Sequence, residues 1–234
     1  MNNLFFNNKD LIKDFNCYIL TGSELGTVQE EILTEAVEGS PLGSLTTKTG
    51  NYKDITRTFG IRMIGINNYS EKIDNILEWL DYIEDDRLVM QHELNKCLRV
   101  KAAKASNFIK SSGNSIDFNI TFQCRPFFYD SRTEIFNWTK GTNLRSATRI
   151  EYEVMAEVEA NGNNSITING QELTFNATGT VIIDCERGYV YKKGTNTPII
   201  TKGNTDLKIK RGINTLNCSP FNSIKLQIRN RYRR

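Results

Sequence analysis

The sequence is poor in histidine, the residue that enzymes use most often as a general acid or base. It has one histidine, His92, and its five cysteines include no CxxC pair. The motifs GxSxG, GxxxxGK[ST], HExxH and GxGxxG are absent. A Cys–His zinc site would need ligands from distant segments. We therefore expect no catalytic residue, no cofactor and no metal, and we interpret the protein as a non-enzyme.

Long apolar segments are also missing. No run approaches the roughly 20 residues that cross a bilayer, so we expect no membrane partner. The opening MNNLFFNNKDLIKDF lacks a basic segment followed by an apolar one, so we expect no secretory signal. An odd number of scattered cysteines then predicts buried free thiols rather than disulfides. These are Cys17, Cys97, Cys124, Cys185 and Cys218.

The two parts of the chain carry opposite charge. Residues 1–135 hold 15 Lys and Arg against 19 Asp and Glu, whereas residues 136–234 hold 15 against 8. The asymmetry indicates two modules with different surroundings, and it could steer head-to-tail packing of copies.

Alternating apolar and polar residues predict a mainly β first module. Segments 15–20, 30–37, 54–66 and 115–124 all alternate in this way. One helix is predicted in NYSEKIDNILEWLDYI, with Ser70 as its N-cap. The following segment, 87–105, has high helix propensity but could equally form two strands around a bend.

The sequence pattern changes near residues 135–143. Beyond them, turn signals such as EANGNNS, TING and NATG recur every eight to twelve residues between short strands. This spacing is typical of an antiparallel β-sandwich. We place the boundary so that 1–137 form the first domain and 138–234 the second. The predicted fold class is mainly β with one or two helices.

The stretch FQCRPFFYD, residues 122–130, is the strongest candidate for chemistry. Arg125 could lower the pKa of Cys124, but a cysteine nucleophile usually needs a base as well. The alternation puts Cys124 on the buried face and Arg125 on the outer one. Pro126 should end the strand's pairing and lead the chain away from the sheet.

Two charged clusters are better explained as parts of the fold than as binding sites. Asp85 and Asp86 follow the predicted helix and fit a solvated turn better than a metal site. The terminal IRNRYRR could grip phosphate, but the register of the strand before it favours a final strand with exposed arginines. We therefore expect no specific nucleic-acid partner.

In succession, several short motifs resemble the distal tail protein family of phages with non-contractile tails. They include LFFNNKDLIKDFNCYIL, the glycine-bearing arm VEGSPLGSLTTKTGNYKD, ILEWLDYI, FQCRPFFY, TVIIDCERGYVY and RGINTLN. The similarity spans nearly the whole chain in the family's order. It departs where Ala147 replaces a common proline and where the arm reads VEGSPLG.

The resemblance implies a structural hub of a virion tail tip, assembled in the host cytoplasm. An N-terminal β-rich domain would close into a homohexameric ring, and a C-terminal galectin-like β-sandwich would lie outside it as a docking platform. Implied partners are the tail tube, tape-measure, tail-lysin or tip proteins and a receptor-binding protein, with genome DNA passing through the ring. The resemblance also implies that 85–104 is mainly strand.

The arm is the candidate contact between copies. It is rich in Gly, Thr and Ser and has little to fold against, so it could pair with a neighbour's sheet edge. An ordinary surface hairpin is the alternative. The expected interface residues are Gly39, Pro41, Leu42, Leu45 and Tyr52.

The rival function is a carbohydrate-binding module that contributes to host recognition. Sugar sites on such sandwiches need an exposed aromatic ring beside clustered polar side chains. The second domain offers Trp138 only at its border and has no histidine, which argues against this function.

Overall fold

The computed structural model describes residues 3–22, 27–36, 44–65, 68–111 and 114–233. They form two compact units: the first runs to Ser131 and takes in Arg233, and the second spans Arg132–Tyr232. The boundary expected from the sequence, 137/138, lies a few residues later. The structure includes Glu134–Thr139 in the second unit because that strand pairs with Ser223–Ile228.

The first unit is built mainly of antiparallel strands. In chain order its elements are β1 (Leu4–Phe6), β2 (Lys9–Asp10), α1 (Leu11–Phe15), β3 (Cys17–Thr21), β4 (Glu30–Ala36), β5 (Ser44–Tyr52), β6 (Ile55–Ile64), α2 (Tyr69–Asp81), β7 (Arg87–Met90), a 3-10 turn (Gln91–Glu93), β8 (Lys96–Ser111) and β9 (Ser115–Asp130). The main sheet has the order β2-β1-β7-β8-β9-β6-β3, while β4 and β5 form a separate two-stranded sheet. The predicted mainly β fold is confirmed, and β7 and β8 show that the ambiguous segment is strand.

A tight turn at Asn7–Asn8 joins β1 to β2 and holds the end of α2. Both asparagines have positive φ, 49° and 61°, as a two-residue hairpin turn requires. The Asn7 side chain donates to the carbonyl oxygens of Trp79 (2.9 Å) and Tyr82 (2.6 Å). It also accepts from the backbone N–H groups of Glu84 and Asp85. The Asn-Asn pair therefore fixes both the hairpin and the helix end.

Helix α2 covers the aromatic core of the first unit. Trp79 meets Phe6 edge-on at 5.7 Å, and Phe122 meets Phe6 at 5.1 Å. The predicted helix is confirmed, but its start differs. The N-cap is Asn68 rather than Ser70; its side chain accepts no hydrogen bond from the helix backbone, and its amide group donates to Glu71 Oε2 (2.8 Å).

The second unit is a multi-sheet β structure around one core. Its strands are β10 (Glu134–Thr139), β11 (Asn143–Ser146), β12 (Tyr152–Glu153), β13 (Met155–Ile168), β14 (Gln171–Asp184), β15 (Tyr189–Lys192), β16 (Pro198–Ile199), β17 (Thr201–Gly203), β18 (Lys208–Ile209), β19 (Gly212–Ser219), β20 (Ser223–Ile228) and β21 (Arg231–Tyr232). The longest path of paired strands is β10-β20-β13-β14-β15-β16. Buried residues from both this path and β11, β12, β18 and β19 belong to a single cluster.

The hairpin β13–β14 is longer than the turn signals suggested. Its turn lies at Asn169–Gly170, with φ of 53° and 82°, as TING predicts. The predicted turns in EANGNNS and NATG are wrong, because these segments pair with each other inside the hairpin. Buried Asn164 supports the pairing by donating to the carbonyl oxygens of Gly162 and Ala177.

Within the described residues, no helix is long and apolar enough to span a membrane.

Candidate assembly surfaces

The segment predicted as an arm supplies β5, which pairs with β4; from this point the name arm covers the whole β4–β5 hairpin. It exposes apolar side chains that a monomer would ordinarily bury. Leu33 is 55% exposed and Leu45 is 59% exposed. Thr47 lies opposite Leu33 and Glu35 opposite Leu45, so the two leucines share one face of the ribbon. A two-stranded hairpin is at best marginally stable alone. The arm is thus the feature of the first unit that most needs an additional surface to pack on.

The base of the arm is anchored to its own unit. The Tyr52 ring packs edge-on against Phe127 at 4.8 Å, and the Arg233 guanidinium lies over it and donates to its hydroxyl. Next to it, Asp54 accepts two hydrogen bonds from Lys101 Nζ, at 2.7 and 2.8 Å. These contacts hold the direction in which the arm leaves the sheet.

The five expected interface residues therefore divide into three groups. Leu45 lies on the exposed apolar face of the arm. Tyr52 lies at its anchored base. Gly39, Pro41 and Leu42 lie outside the described residues. Leu33, which is not among the five expected residues, joins Leu45; alternation in EEILTEA could not have found it, because its neighbours on the same side of the strand are Glu31 and Glu35.

The cysteine in FQCRPFFYD is buried structure rather than a reactive thiol. Cys124 is fully buried, and burial raises the pKa of its thiol to about 12, an effect that nearby Arg57 only partly offsets. The prediction that Pro126 ends the pairing is wrong. β9 continues to Asp130, with Leu98 opposite Phe128, because an irregularity in register takes up the proline.

Each aspartate of the acidic pair after α2 forms an ion pair with an arginine. Asp85 pairs with Arg87 at 2.5 Å, and Asp86 pairs with Arg99. The Arg87 guanidinium holds the pKa of Asp85 below its usual range. Among the residues that the structure describes, no three or more His, Cys, Asp and Glu side chains form a group that could hold a metal ion.

Two of the C-terminal arginines are bound to carboxylates of the second unit. Arg229 pairs with Glu186 at 2.6 Å, and Arg231 pairs with Glu153 at 2.5 Å. Their charges are therefore compensated locally, as expected of structural rather than phosphate-binding arginines.

The aromatic residues of the second unit differ from the sequence-based expectation. Trp138 is fully buried, and its Nε1 donates to the Thr142 carbonyl oxygen (3.0 Å). Phe136, at 42%, and Tyr189, at 36%, are exposed instead, and the Tyr189 ring lies 5.4 Å, centroid to centroid, from that of Tyr191. Their spacing in GYVYK, two residues apart on one strand, was the missed signal.

The similarity of this chain to known proteins lies in its structure. Neither protein-family models nor curated protein sequences give a match. The crystal structure of the Dit protein of phage SPP1, described as a paradigm of the hub adsorption apparatus in Gram-positive infecting phages, has a TM-score of 0.68 at 12% identity; the match covers 98% of this chain and 99% of that chain.

Two structures of the phage P2 baseplate in its activated conformation, one with calcium and one with strontium, also match. Each has a TM-score of 0.57 at 12% identity and covers 99% of this chain; the matches cover 99% and 98% of those chains. At such identity the similarity shows the fold, which this chain shares with these phage tail proteins over nearly its whole length.

Proposed function

We propose that this protein is a structural, non-enzymatic hub subunit of a bacteriophage, prophage or tail-derived particle. Six copies close into a ring at the tail tip and join the tail tube to the host-adsorption apparatus. The observation that carries this proposal is the similarity to the SPP1 hub protein over 98% of the chain, which includes both units. A likeness confined to one unit would not imply the same role.

The arm supports assembly of copies through unlike surfaces. A closed ring uses a heterologous contact, in which one patch meets a different patch on the next copy. Leu33 and Leu45 form a small apolar patch on an anchored but otherwise exposed ribbon. Covering this patch with a neighbouring copy removes apolar surface from water and stabilises the ribbon. We propose that Gly39, Pro41 and Leu42 continue the same contact.

The proposed neighbours follow from the hub role. Along the axis they are the tail tube and tape-measure proteins on one side and the tail-lysin or tip proteins on the other, with DNA passing through the ring. The second unit carries outer components such as a receptor-binding protein. Assembly takes place in the host cytoplasm. Carbohydrate binding is the second candidate: the buried Trp138 offers no platform for a sugar, so this function would have to use the Tyr189–Tyr191 pair.

The arm contact can be tested by placing charges on either face of the ribbon. In the double variant Leu33→Asp/Leu45→Asp the face that carries both leucines is charged, while Ile32, 51% exposed, lies on the other face. In the matched control Thr34→Asp/Thr46→Asp, the same change falls on the other face, where these exposed threonines lie opposite each other. Light scattering should give ~161 kDa for six 26.8 kDa chains in the wild type and control, and the monomer mass for the leucine variant.

Circular dichroism must show an unchanged β content in both variants. A leucine variant that still forms hexamers would remove the arm from the interface. A wild-type chain that stays monomeric at millimolar concentration, or that forms closed rings of five or seven copies, would contradict the hexameric ring.

A further inference from the structure

We propose that Asn161 is a site of spontaneous covalent modification, in which its side-chain amide closes onto the backbone nitrogen of Gly162 and is then hydrolysed to an acid. The chain has two Asn-Gly dipeptides, Asn161–Gly162 and Asn169–Gly170, and both lie in the hairpin of β13 and β14. The fold protects the second dipeptide and leaves the first one open to reaction. This inference goes beyond the proposed tail role and involves neither the arm nor the ring.

The reaction needs water as its only reactant. The Gly162 nitrogen loses its proton to a base in the solvent and attacks Cγ of Asn161. The new N–Cγ bond forms, the Cγ–Nδ2 bond breaks, and ammonia leaves after taking up a proton from the solvent. Water then opens the cyclic imide at either of its carbonyl carbons, which gives aspartate or isoaspartate. Glycine favours the first step because it has no side chain to hinder the approach of its nitrogen.

The Asn161 side chain is free to approach this nitrogen. It is exposed, and among the residues that the structure describes none forms a hydrogen bond with its amide group. Exposed side chains exchange rotamers rapidly, so Cγ of Asn161 samples positions next to the Gly162 nitrogen.

The backbone at this dipeptide departs from regular strand geometry. Gly162 has a φ of 76°, far from the extended region. The buried Asn164 side chain supports this irregular step, because it accepts from the Asn161 N–H (2.9 Å) and donates to the Gly162 carbonyl oxygen (2.5 Å). Asn161 still lies opposite Thr178 in the hairpin. This pairing restrains the backbone, so the folded chain should react more slowly than the unfolded one.

The amide group of Asn169 is held in place by the fold. Its Oδ1 accepts from the backbone N–H of Thr215 (3.1 Å), and its Nδ2 donates to the Lys208 carbonyl oxygen (3.1 Å) and to Asn214 Oδ1 (2.8 Å). Asn214 is itself fully buried. Rotation of Cγ toward the Gly170 nitrogen must break these three hydrogen bonds, which should slow the reaction at Asn169 at least about tenfold relative to Asn161.

The modification should weaken the hairpin. Isoaspartate carries the main chain through Cβ and Cγ, so it inserts an extra carbon atom into β13 between the pairs Ala160–Gly179 and Ser165–Thr174. The strand then cannot keep its register on both sides without bulging outward. The new carboxylate also lies two residues from Glu159, on the same side of the strand. We therefore expect the modified chain to be less stable than the unmodified one.

Mass spectrometry can compare the two sites within one peptide. The full chain is incubated in its folded state at mildly alkaline pH, and a second sample is incubated in urea. Cleavage after glutamate releases Ala160–Glu172, which contains both dipeptides, and fragment spectra locate each replacement of NH₂ by OH. In the folded protein Asn161 should convert at least about tenfold faster than Asn169, whereas in urea the two rates should agree within about threefold.

The control variant is Asn161→Gln, whose longer side chain cannot close the same ring. It should show no conversion at position 161 and the same slow conversion at Asn169. On storage, the thermal midpoint should fall in the wild type and stay constant in Asn161→Gln.

Four results would overturn the proposal. They are equal conversion of the two sites in the folded chain, faster conversion at Asn169, no conversion of folded Asn161 while the urea sample converts, and an equal fall of the midpoint in Asn161→Gln. The arm variants report separately on the ring, so failure of one proposal can be told from failure of the other.

Discussion

Replacing Asn7 by aspartate removes hydrogen-bond donors while preserving the shape of the turn. Aspartate tolerates the left-handed backbone at φ 49° and keeps the oxygen that accepts from Glu84 and Asp85. It loses the amide group that donates to the carbonyl oxygens of Trp79 and Tyr82. A carboxylate then faces two carbonyl oxygens at the negative end of α2.

The cost follows from these contacts. Two lost hydrogen bonds contribute about 1 kcal/mol each, and the unfavourable helix dipole and unpaired carbonyl groups add about 1 kcal/mol more. We expect Asn7→Asp to lower the free energy of unfolding of the first unit by about 3 kcal/mol at pH 7. The carbonyl groups should raise the folded pKa of the new carboxyl above its unfolded value. The destabilisation is therefore full above the folded pKa and shrinks as the pH falls toward the unfolded one.

Urea unfolding measures this loss, because each unit contains one tryptophan. Trp79 reports on the first unit when the experiment is done in a Trp138→Phe background. With a slope of about 2 kcal/mol per molar urea, the midpoint should fall by roughly 1.5 M. The control is Asn8→Asp, at a neighbouring turn position with φ 61° and an exposed side chain. A loss below 0.5 kcal/mol in Asn7→Asp, or an equal loss in the control, would refute the reasoning.

Three further predictions concern thiols, backbone strain and acid. All five cysteines are buried, and burial raises the pKa of Cys124 to about 12, so they should resist a thiol reagent at pH 8 in the folded protein. After denaturation without reductant all five thiols should react. Fewer than five reacting thiols would reveal a disulfide. Gly203→Ala should lower the thermal midpoint more than Gly194→Ala: both have φ near 90°, but only at Gly203 does the new Cβ come within 2.4 Å of a backbone carbonyl oxygen. Because Arg87 lowers the pKa of Asp85, their pairing stabilises fully above about pH 4 and is lost as the pH falls through the lower folded value. Asp85→Asn should flatten that acid limb in thermal melts.

Local pattern was enough to predict much of the fold. Alternation in 115–124 put Cys124 on the buried face of a strand, and both features are confirmed. The helical spacing around Ile76 and Leu80 gave α2 its buried stripe. These segments are predictable because one face of each is apolar and the other polar, so the spacing of apolar residues in the local sequence shows which side chains are buried.

Features set by distant partners were not predictable. Pro126 reads as the end of a strand, but the pairing of Leu98 with Phe128 resumes beyond it. NGNN reads as a turn until it is paired with the equally polar NATG across the hairpin. Tyr189 on β15 lies opposite Asp184 on β14, and only the strand register brings these two residues together. The exposure of Leu33 and Leu45 was not predictable either, because it depends on which other segments of the fold pack against the arm.

Six copies of this chain are proposed to form a ring at the tail tip. Imaging of purified tail particles that carry a gold-labelled tag on the second unit, with a count of the copies per particle, tests this proposal. We expect label at the distal end of the tube alone and a ring of six copies. Label along the tube or at the head end, a count other than six, or intact tails without the chain would contradict it.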